Sequence, residues 1–417
     1  MTDVLPRHIE STAREWLGYF PGLVIEGARQ VGKSTLTTLI KYPDAVVANL
    51  DDPSVLLAAR NDPTGFVDQG RSQQLVIDEI QRCPELTLAV KASIDADRRP
   101  GRFILTGSSS LLRVRGTSDS LAGRVGRLTL YGLSHGEATR TPDDFAAAVT
   151  HDPASLLAAT NGLKRHQYAD LIARGAYPRI YDAPVRVRNA WLDSYVDNIV
   201  GRDLPDLRRM VDSARAMSVL RTLAGRQSAE LVQAKLAHET SIPAGTVTGY
   251  VDLLHDVGLI SSIPPWTPNL AKREIGRPKT FITDSALALR LARLTSQQLA
   301  SIPYGEALGS FLVAYVAAEL LRQRAWSACD YQLFHWRDAN SGEVDLVMEF
   351  DDGSVVALEV KSAQSFGANM FRGLTYMRDA LGSRFRAGIV LNTAKSGLRF
   401  GDRLYGAPIS TLWEIPR

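Results

Sequence analysis

The chain has 417 residues, of which 45% are hydrophobic and 22% charged, and its formal net charge is +3. Domains usually take roughly 100 to 200 residues, so two or three cores are expected in a chain with the composition of an ordinary soluble protein. A charge this small neither demands nor excludes a nucleic-acid partner, so any basic surface has to be local, and two cysteines without paired spacing, Cys83 and Cys329, rule out a disulfide scaffold.

The opening MTDVLPRHIESTAREW mixes acids and bases without an apolar core, so it does not read as a signal peptide. The longest uncharged apolar run, Ala307 to Ala318, is shorter than the roughly 20 residues that span a bilayer, so no membrane segment is expected and the cytosol is the simplest location.

From Gly22 to Leu133, short apolar runs alternate with longer connections: LVIEG, AVVANLDD, QQLVIDE, GRFILTGSS and RLTLYGL. Strands that are apolar almost throughout read as a parallel sheet covered on both faces, an α/β core over residues 1–133. Between 134 and 209 the strand pattern stops, and FAAAVTHDPASLLAAT and VRVRNAWLDSYVDNIV suit amphipathic helices, read as a lid and connector. Residues 210–280 then show helix, turn at SIPAG, second helix, Gly258 and apolar strands, the pattern of a helix-turn-helix with a wing. The remaining residues, 281–417, carry a helix EALGSFLVAYVAAELLRQ, strands YQLFHWR, EVDLVMEF and VVALEVKS, a helix NMFRGLTYMRDAL and a strand AGIVLN.

The first apolar strand breaks into GARQVGKST, which satisfies G-x-x-x-x-G-K-[ST] between a strand and a helix. Backbone from Gly27, Ala28, Arg29, Gln30, Val31 and Gly32 through Lys33, Ser34 and Thr35 would wrap a triphosphate; Lys33 reaches its β and γ phosphates and Ser34 ligates Mg2+. LVIDEIQ ends a later strand in Asp78, which would hold Mg2+ through water, and Glu79, which would orient or deprotonate the attacking water. Such a base has little purpose in a passive binder, so ATP hydrolysis is expected. Thr106, at the end of RFILTG with Ser108 close behind, offers a hydroxyl to hold that water. Arg124, with Arg127 as competitor, is placed to enter a neighbour's site as a transition-state cation.

GARQVGKST, VIDEIQRCPEL, ILTGSSSLL and SLAGRVGRL, in this order, resemble the prokaryotic AAA+ ATPases that carry a conserved C-terminal domain of unknown function. The resemblance covers nearly the whole chain. It implies a Walker A motif at Gly27 to Ser34, a Walker B motif at Asp78 and Glu79, a first sensor at Thr106, an arginine finger at Arg124 and a ring, commonly of six subunits. Gly175 to Pro178 resembles the G-x-P lid motif of related signalling ATPases, and the stretch around Arg202 the family's connector. The resemblance further implies a winged helix and then a restriction-endonuclease-like domain.

In that last domain, Asp345, Glu359 and Lys361 form D-x13-E-x-K on adjacent strand-like runs, an arrangement that can share Mg2+ between two carboxylates. The family glutamate expected near GSFLVAYV is replaced by Val313, and Glu319 on the same helix is the only substitute. DNA binding or docking is therefore expected ahead of cutting. His335 reads as a packed strand residue. The second helix of the turn motif, AGTVTGYVDLLHD, has no lysine or arginine, so Lys272, Arg273, Arg277 and Lys279 in the following segment are the electrostatic candidates for DNA backbone. The sequence thus supports a DNA-acting ring ATPase, with a nucleotide-regulated protein-interaction switch as the competing reading.

Overall fold

The computed structural model describes residues 5–107, 121–160, 163–208, 211–269, 273, 276–338 and 342–414. Two compact units divide the chain: residues 1–133 with 256–258, and residues 134–255 with 259–417. Ser108 and Lys272 lie outside the described residues.

In the first unit, β1 (Gly22–Glu26), β2 (Val46–Asn49), β3 (Leu75–Asp78), β4 (Phe103–Gly107) and β5 (Val125–Thr129) form one sheet in the order β2-β3-β4-β1-β5. Every pairing is parallel. Each apolar run read from the sequence supplies one of these strands. The inner strands are buried along their length because helices cover both faces, whereas β2 and β5, at the edges, alternate buried and exposed positions. Leu86, Val90 and Ile94 of the helix Leu86–Ala96 share a core with Leu75, Ile77, Phe103 and Leu105. The sequence DDPS starts another helix: Asp52 accepts the amide of Ser54 and Pro53 takes the first helical position.

The second unit opens with helices only, the longer ones being Arg165–Arg174 and Val185–Asn198. The helices Ser213–Ala224, Gln233–Thr240 and Ala244–Asp256 follow, with a small antiparallel sheet of β6 (Ala229–Glu230), β7 (Ile260–Ile263) and β8 (Lys279–Ile282) in the order β6-β8-β7. Ser241, at φ +53°, ends one of these helices and turns the chain into the next.

A six-stranded sheet closes the unit: β9 (Tyr331–Asp338), β10 (Gly342–Phe350), β11 (Val355–Val360), β12 (Phe385–Asn392), β13 (Leu398–Gly401) and β14 (Leu404–Pro408), in the order β13-β14-β12-β11-β10-β9. Sequence reading finds four of these and misses β13 and β14. LRFG of β13 is exposed or half-buried throughout, so it has no apolar run to betray it.

The helix Gly305–Gln323 extends well past the uncharged run seen in the sequence. With the preceding turn, Ile302–Gln323 is long and apolar enough to cross a membrane by length and composition. In this fold it is the core helix, with Leu308, Leu312, Val316 and Leu320 fully buried.

Candidate functional site

The carboxyl ends of β3, β4 and β1, adjacent in the first sheet, bring three separate motifs to one edge, where ligands of open α/β sheets bind. The loop after β1 turns at two glycines. A side chain at Gly27 would sit 2.2 Å from the carbonyl oxygen of Leu130, and Gly32 adopts φ +100° immediately before the helix Lys33–Ile40. Ala28 and Val31 are buried, whereas Arg29, Gln30, Ser34 and Thr35 face solvent. Lys33 is 6% exposed, and its Nζ donates to the carbonyls of Gly27 and Ala28 at 3.0 Å each. Burial lowers the pKa of this ammonium, and the carboxylates of Glu79 and Asp78 act in the opposite direction.

Ser34 Oγ donates to Asp78 Oδ2 at 3.2 Å. A hydroxyl and a carboxylate side by side are the oxygen groups that would hold Mg2+, a hard cation, directly or through its bound water. Thr106, fully buried at the end of β4, donates Oγ1 to Asp78 Oδ1, and the amide of Glu79 points at the same hydroxyl at 3.4 Å. Its hydroxyl is therefore spent on holding Asp78 rather than aimed into open space. Glu79 stands in the left-handed region at φ +57°, a costly conformation for a glutamate of the kind that gathers at functional sites.

Two contributors escaped sequence reading. Gln81 donates Nε2 to Glu79 Oε2 and so holds the carboxylate expected to act as base. Arg7 is buried behind the loop, donating Nη1 to Val31 O at 2.7 Å and Nη2 to Tyr131 O at 2.8 Å. No motif marks Arg7, because its partners are backbone carbonyls far away in sequence.

Arg124 forms a two-pronged pair with Asp95, Nε to Oδ1 at 2.7 Å and Nη2 to Oδ2 at 3.0 Å. It directly precedes β5, so it stands at the amino edge of a parallel sheet whose carboxyl edge carries the loop. Five residues of strand, about 16 Å, separate the two edges.

In the second unit, Asp345 and Glu359 do come together, on antiparallel neighbours β10 and β11. The register of β10 against β9 shifts between Val344 and Val347, and a shift of this kind re-aims the side chains it spans. Glu359 Oε2 accepts the amide of Asp345 at 3.3 Å, and Asp345 Oδ2 accepts that of Val360 at 3.1 Å. Lys361 Nζ pairs with Glu359 Oε1 and lies 3.9 Å from Asp345 Oδ2. Burial, followed by the Asp345 charge, pushes the Glu359 carboxyl up to about 8, with Lys361 opposing. Burial works against the Lys361 charge too, but the two carboxylates outweigh it and its pKa rises.

Glu319 does not join this pair, which corrects the expectation that it replaces the family glutamate. It is 1% exposed, pairs with Arg322 at 2.5 Å and accepts the amide of His135 at 3.0 Å; burial pushes its pKa up to about 7. Its place on the helix directs it to the start of another helix, His135–Thr139, while Val313 is buried. Among the described residues, no group of three or more His, Cys, Asp or Glu side chains converges as a metal-binding set.

The wing candidates are also corrected. Arg273 pairs with Glu349 at 2.5 Å and lies over the rings of Trp266 and Phe334, and Lys279 pairs with Asp345 Oδ1 at 3.2 Å. Both cations serve the folded interior; only Arg277 of the described candidates is exposed. The helix Ala244–Asp256 exposes Ala244, Gly245, Thr246 and Asp252, none of them basic. His335 is a packed strand residue, 1% exposed, with Nε2 3.0 Å from Arg277 O. The Gly175 to Pro178 turn is pinned by Asp284, which accepts the amide of Ala176 at 2.7 Å, and Tyr177 packs among Trp191 and Tyr195.

Comparison with known families matches residues 20–139 to one described as an AAA domain. Residues 165–298 and 308–412 match two domains of unknown function, DUF8612 and DUF4143. An uncharacterized protein of Mycobacterium tuberculosis is 27% identical over 356 residues, covering 85% of this chain and 73% of that protein, and one of Mycobacterium bovis gives the same figures. The solved structure of a Walker-type ATPase from Pyrococcus abyssi is similar at 15% identity, covering 69% of this chain and 96% of that one, with a TM-score of 0.43.

Proposed function

We propose that this chain, in which an AAA domain precedes a conserved C-terminal domain of unknown function, is an Mg2+-dependent ATPase that assembles as a ring, commonly of six subunits. The observation that carries the reading is the convergence of Lys33, Ser34, Asp78, Glu79 and Thr106 on one sheet edge.

The backbone amides of Gly27 to Ser34 and the helix start would cradle the phosphates. Lys33, now satisfied by loop carbonyls, would exchange them for the β and γ phosphate oxygens. Ser34 and Asp78 would hold Mg2+, which when bound neutralises phosphate charge. Glu79 would turn from Gln81 to the water that attacks the γ phosphate and accept its proton, while Thr106 keeps Asp78 in place. Arg124 stands about one strand length from its own site, which supports action on a neighbour's nucleotide after release from Asp95.

For the output, two readings compete. The helix-turn-helix arrangement with its order β6-β8-β7 supports a winged helix, and with it DNA. The engaged wing cations Arg273 and Lys279 and the exposed face of the Ala244–Asp256 helix, which carries no basic residue, favour the other, a module that docks a protein partner in response to nucleotide. Phosphate contacts dominate DNA affinity, so a reader with Arg277 as the one exposed cation among its described wing candidates binds weakly.

The test is ATP turnover measured alone and with single-stranded, duplex and branched DNA, with strand cleavage followed in the same tubes. Turnover without cleavage, and indifferent to DNA, is expected. Stimulation of tenfold or more by one DNA structure would restore the DNA-acting reading, and absence of any turnover would remove the ATPase.

A further inference from the structure

Asp345 and Glu359 sit where the fold resemblance implies a divalent cation, and their surroundings do not suit one. All four carboxylate oxygens already have partners. Asp345 Oδ1 takes Lys279 at 3.2 Å, and Asp345 Oδ2 takes the amide of Val360 at 3.1 Å. Glu359 Oε1 takes Lys361, and Glu359 Oε2 the amide of Asp345 at 3.3 Å. The two acids are faced by two ammonium groups, and burial disfavours the charged form of Glu359, so the pair offers a metal little uncompensated negative charge. Hard cations bound by proteins are held through oxygens that carry excess negative charge, usually with further carboxylates. Among the described residues no third carboxylate converges on the two, and Glu319 is paired with Arg322 elsewhere.

Lys361 belongs to the strand motif itself, but Lys279 does not. It begins β8, in the small sheet β6-β8-β7, and reaches across to β10 of the six-stranded sheet. Its side chain and that of Asp345 are each 9% exposed, so neither is freely exchanged with solvent ions. A buried carboxylate needs a partner, and an ammonium supplied from outside the motif meets that need permanently.

We infer that Lys279 is a built-in counter-cation that replaces the divalent metal at Asp345 and Glu359, so that this pair fastens β8 to β10 instead of activating water. The inference deepens the reading of the C-terminal half as a docking module, but its test is cation binding, which succeeds or fails independently of ATP turnover and partner capture.

The experiment titrates Mn2+ into the full chain without nucleotide, following free Mn2+ by electron paramagnetic resonance. The proteins compared are the native one, Asp345→Asn, Glu359→Gln, Lys279→Met and the double variant Lys279→Met/Asp345→Asn. Cation at the ATP site is common to all and cancels in the comparison. The native protein, Asp345→Asn and Glu359→Gln should bind equal amounts, while Lys279→Met gains one Mn2+ that the double variant lacks. The inference is overturned if the native protein holds a Mn2+ that Asp345→Asn or Glu359→Gln loses. It is equally overturned if Lys279→Met, with its circular dichroism spectrum unchanged, gains none. Should Lys279→Met not fold, the native protein against the two acid variants decides alone.

Discussion

Replacing Arg7 by methionine tests whether the phosphate loop is braced from behind. Methionine keeps much of the apolar stem but removes the guanidinium that donates to Val31 O at 2.7 Å and Tyr131 O at 2.8 Å. A hydrogen bond from a charged donor is worth about 1.5–3 kcal/mol net, and a buried carbonyl left unsatisfied costs about 1–3 kcal/mol. The guanidinium itself regains hydration in the unfolded state, which offsets part of the sum, so a loss of about 2–4 kcal/mol is expected. Because Val31 lies within the loop, part of that loss should appear as a loop that no longer rests in its wrapped shape. Every 1.4 kcal/mol of it weakens ATP about tenfold. The assays are urea unfolding followed by circular dichroism and equilibrium binding of a fluorescent ATP analogue. An Arg7→Met protein with an unchanged unfolding midpoint and unchanged ATP affinity would refute the bracing argument.

Glu79→Gln should keep ATP bound while turnover falls about 10²- to 10⁴-fold, because the base is lost and the phosphate grip is not; Lys33→Ala should lose binding itself. Normal turnover by Glu79→Gln would mean another group activates water. Mixing Arg124→Ala with Lys33→Ala subunits should recover some activity at interfaces where an intact arginine meets an intact loop, and no recovery would place Arg124 in its pair with Asp95 for structure alone. Burial lowers the pKa of His335 to about 4 and that of His135 to about 4, from an ordinary value of about 6.5. Above 6.5 both folded and unfolded imidazoles are neutral and their contribution to stability is flat. As pH falls towards 4, only the unfolded chain binds the protons, so stability drops, by at most about 3 kcal/mol per histidine. Glu319 and Glu359, whose carboxyls burial pushes up to about 7 and about 8, act in the opposite sense, so the histidine contribution is read as a difference: between pH 6.5 and 4 the melting temperature of His335→Phe should gain on that of the native protein, and a constant difference would contradict the assignment.

What the sequence determined by itself is local. The strands of the first sheet are written as apolar runs because a strand buried on both faces tolerates little else, and each of those runs is found in the sheet. Gly27, Gly32, Lys33 and Ser34 are legible for a similar reason: a loop that curls at one strand end needs its glycines and its cation at set spacing, and the chain alone carries that geometry. Asp78, Glu79 and Thr106 are readable as strand-end residues, although only the order β3-β4-β1 makes them neighbours.

Tertiary structure alone decided the partners of the charges. Arg124 and Asp95, Arg273 and Glu349, Lys279 and Asp345, and Glu319 with His135 all meet across long stretches of chain. The same is true of Arg7 and the carbonyls of Val31 and Tyr131. A sequence shows that a lysine is present, but not which carboxylate will share its water-excluded surroundings, because that depends on how separate elements pack. Lys279 therefore reads as a wing cation in the sequence and stands against a carboxylate in the fold, where burial makes an unpaired Asp345 too costly to leave open.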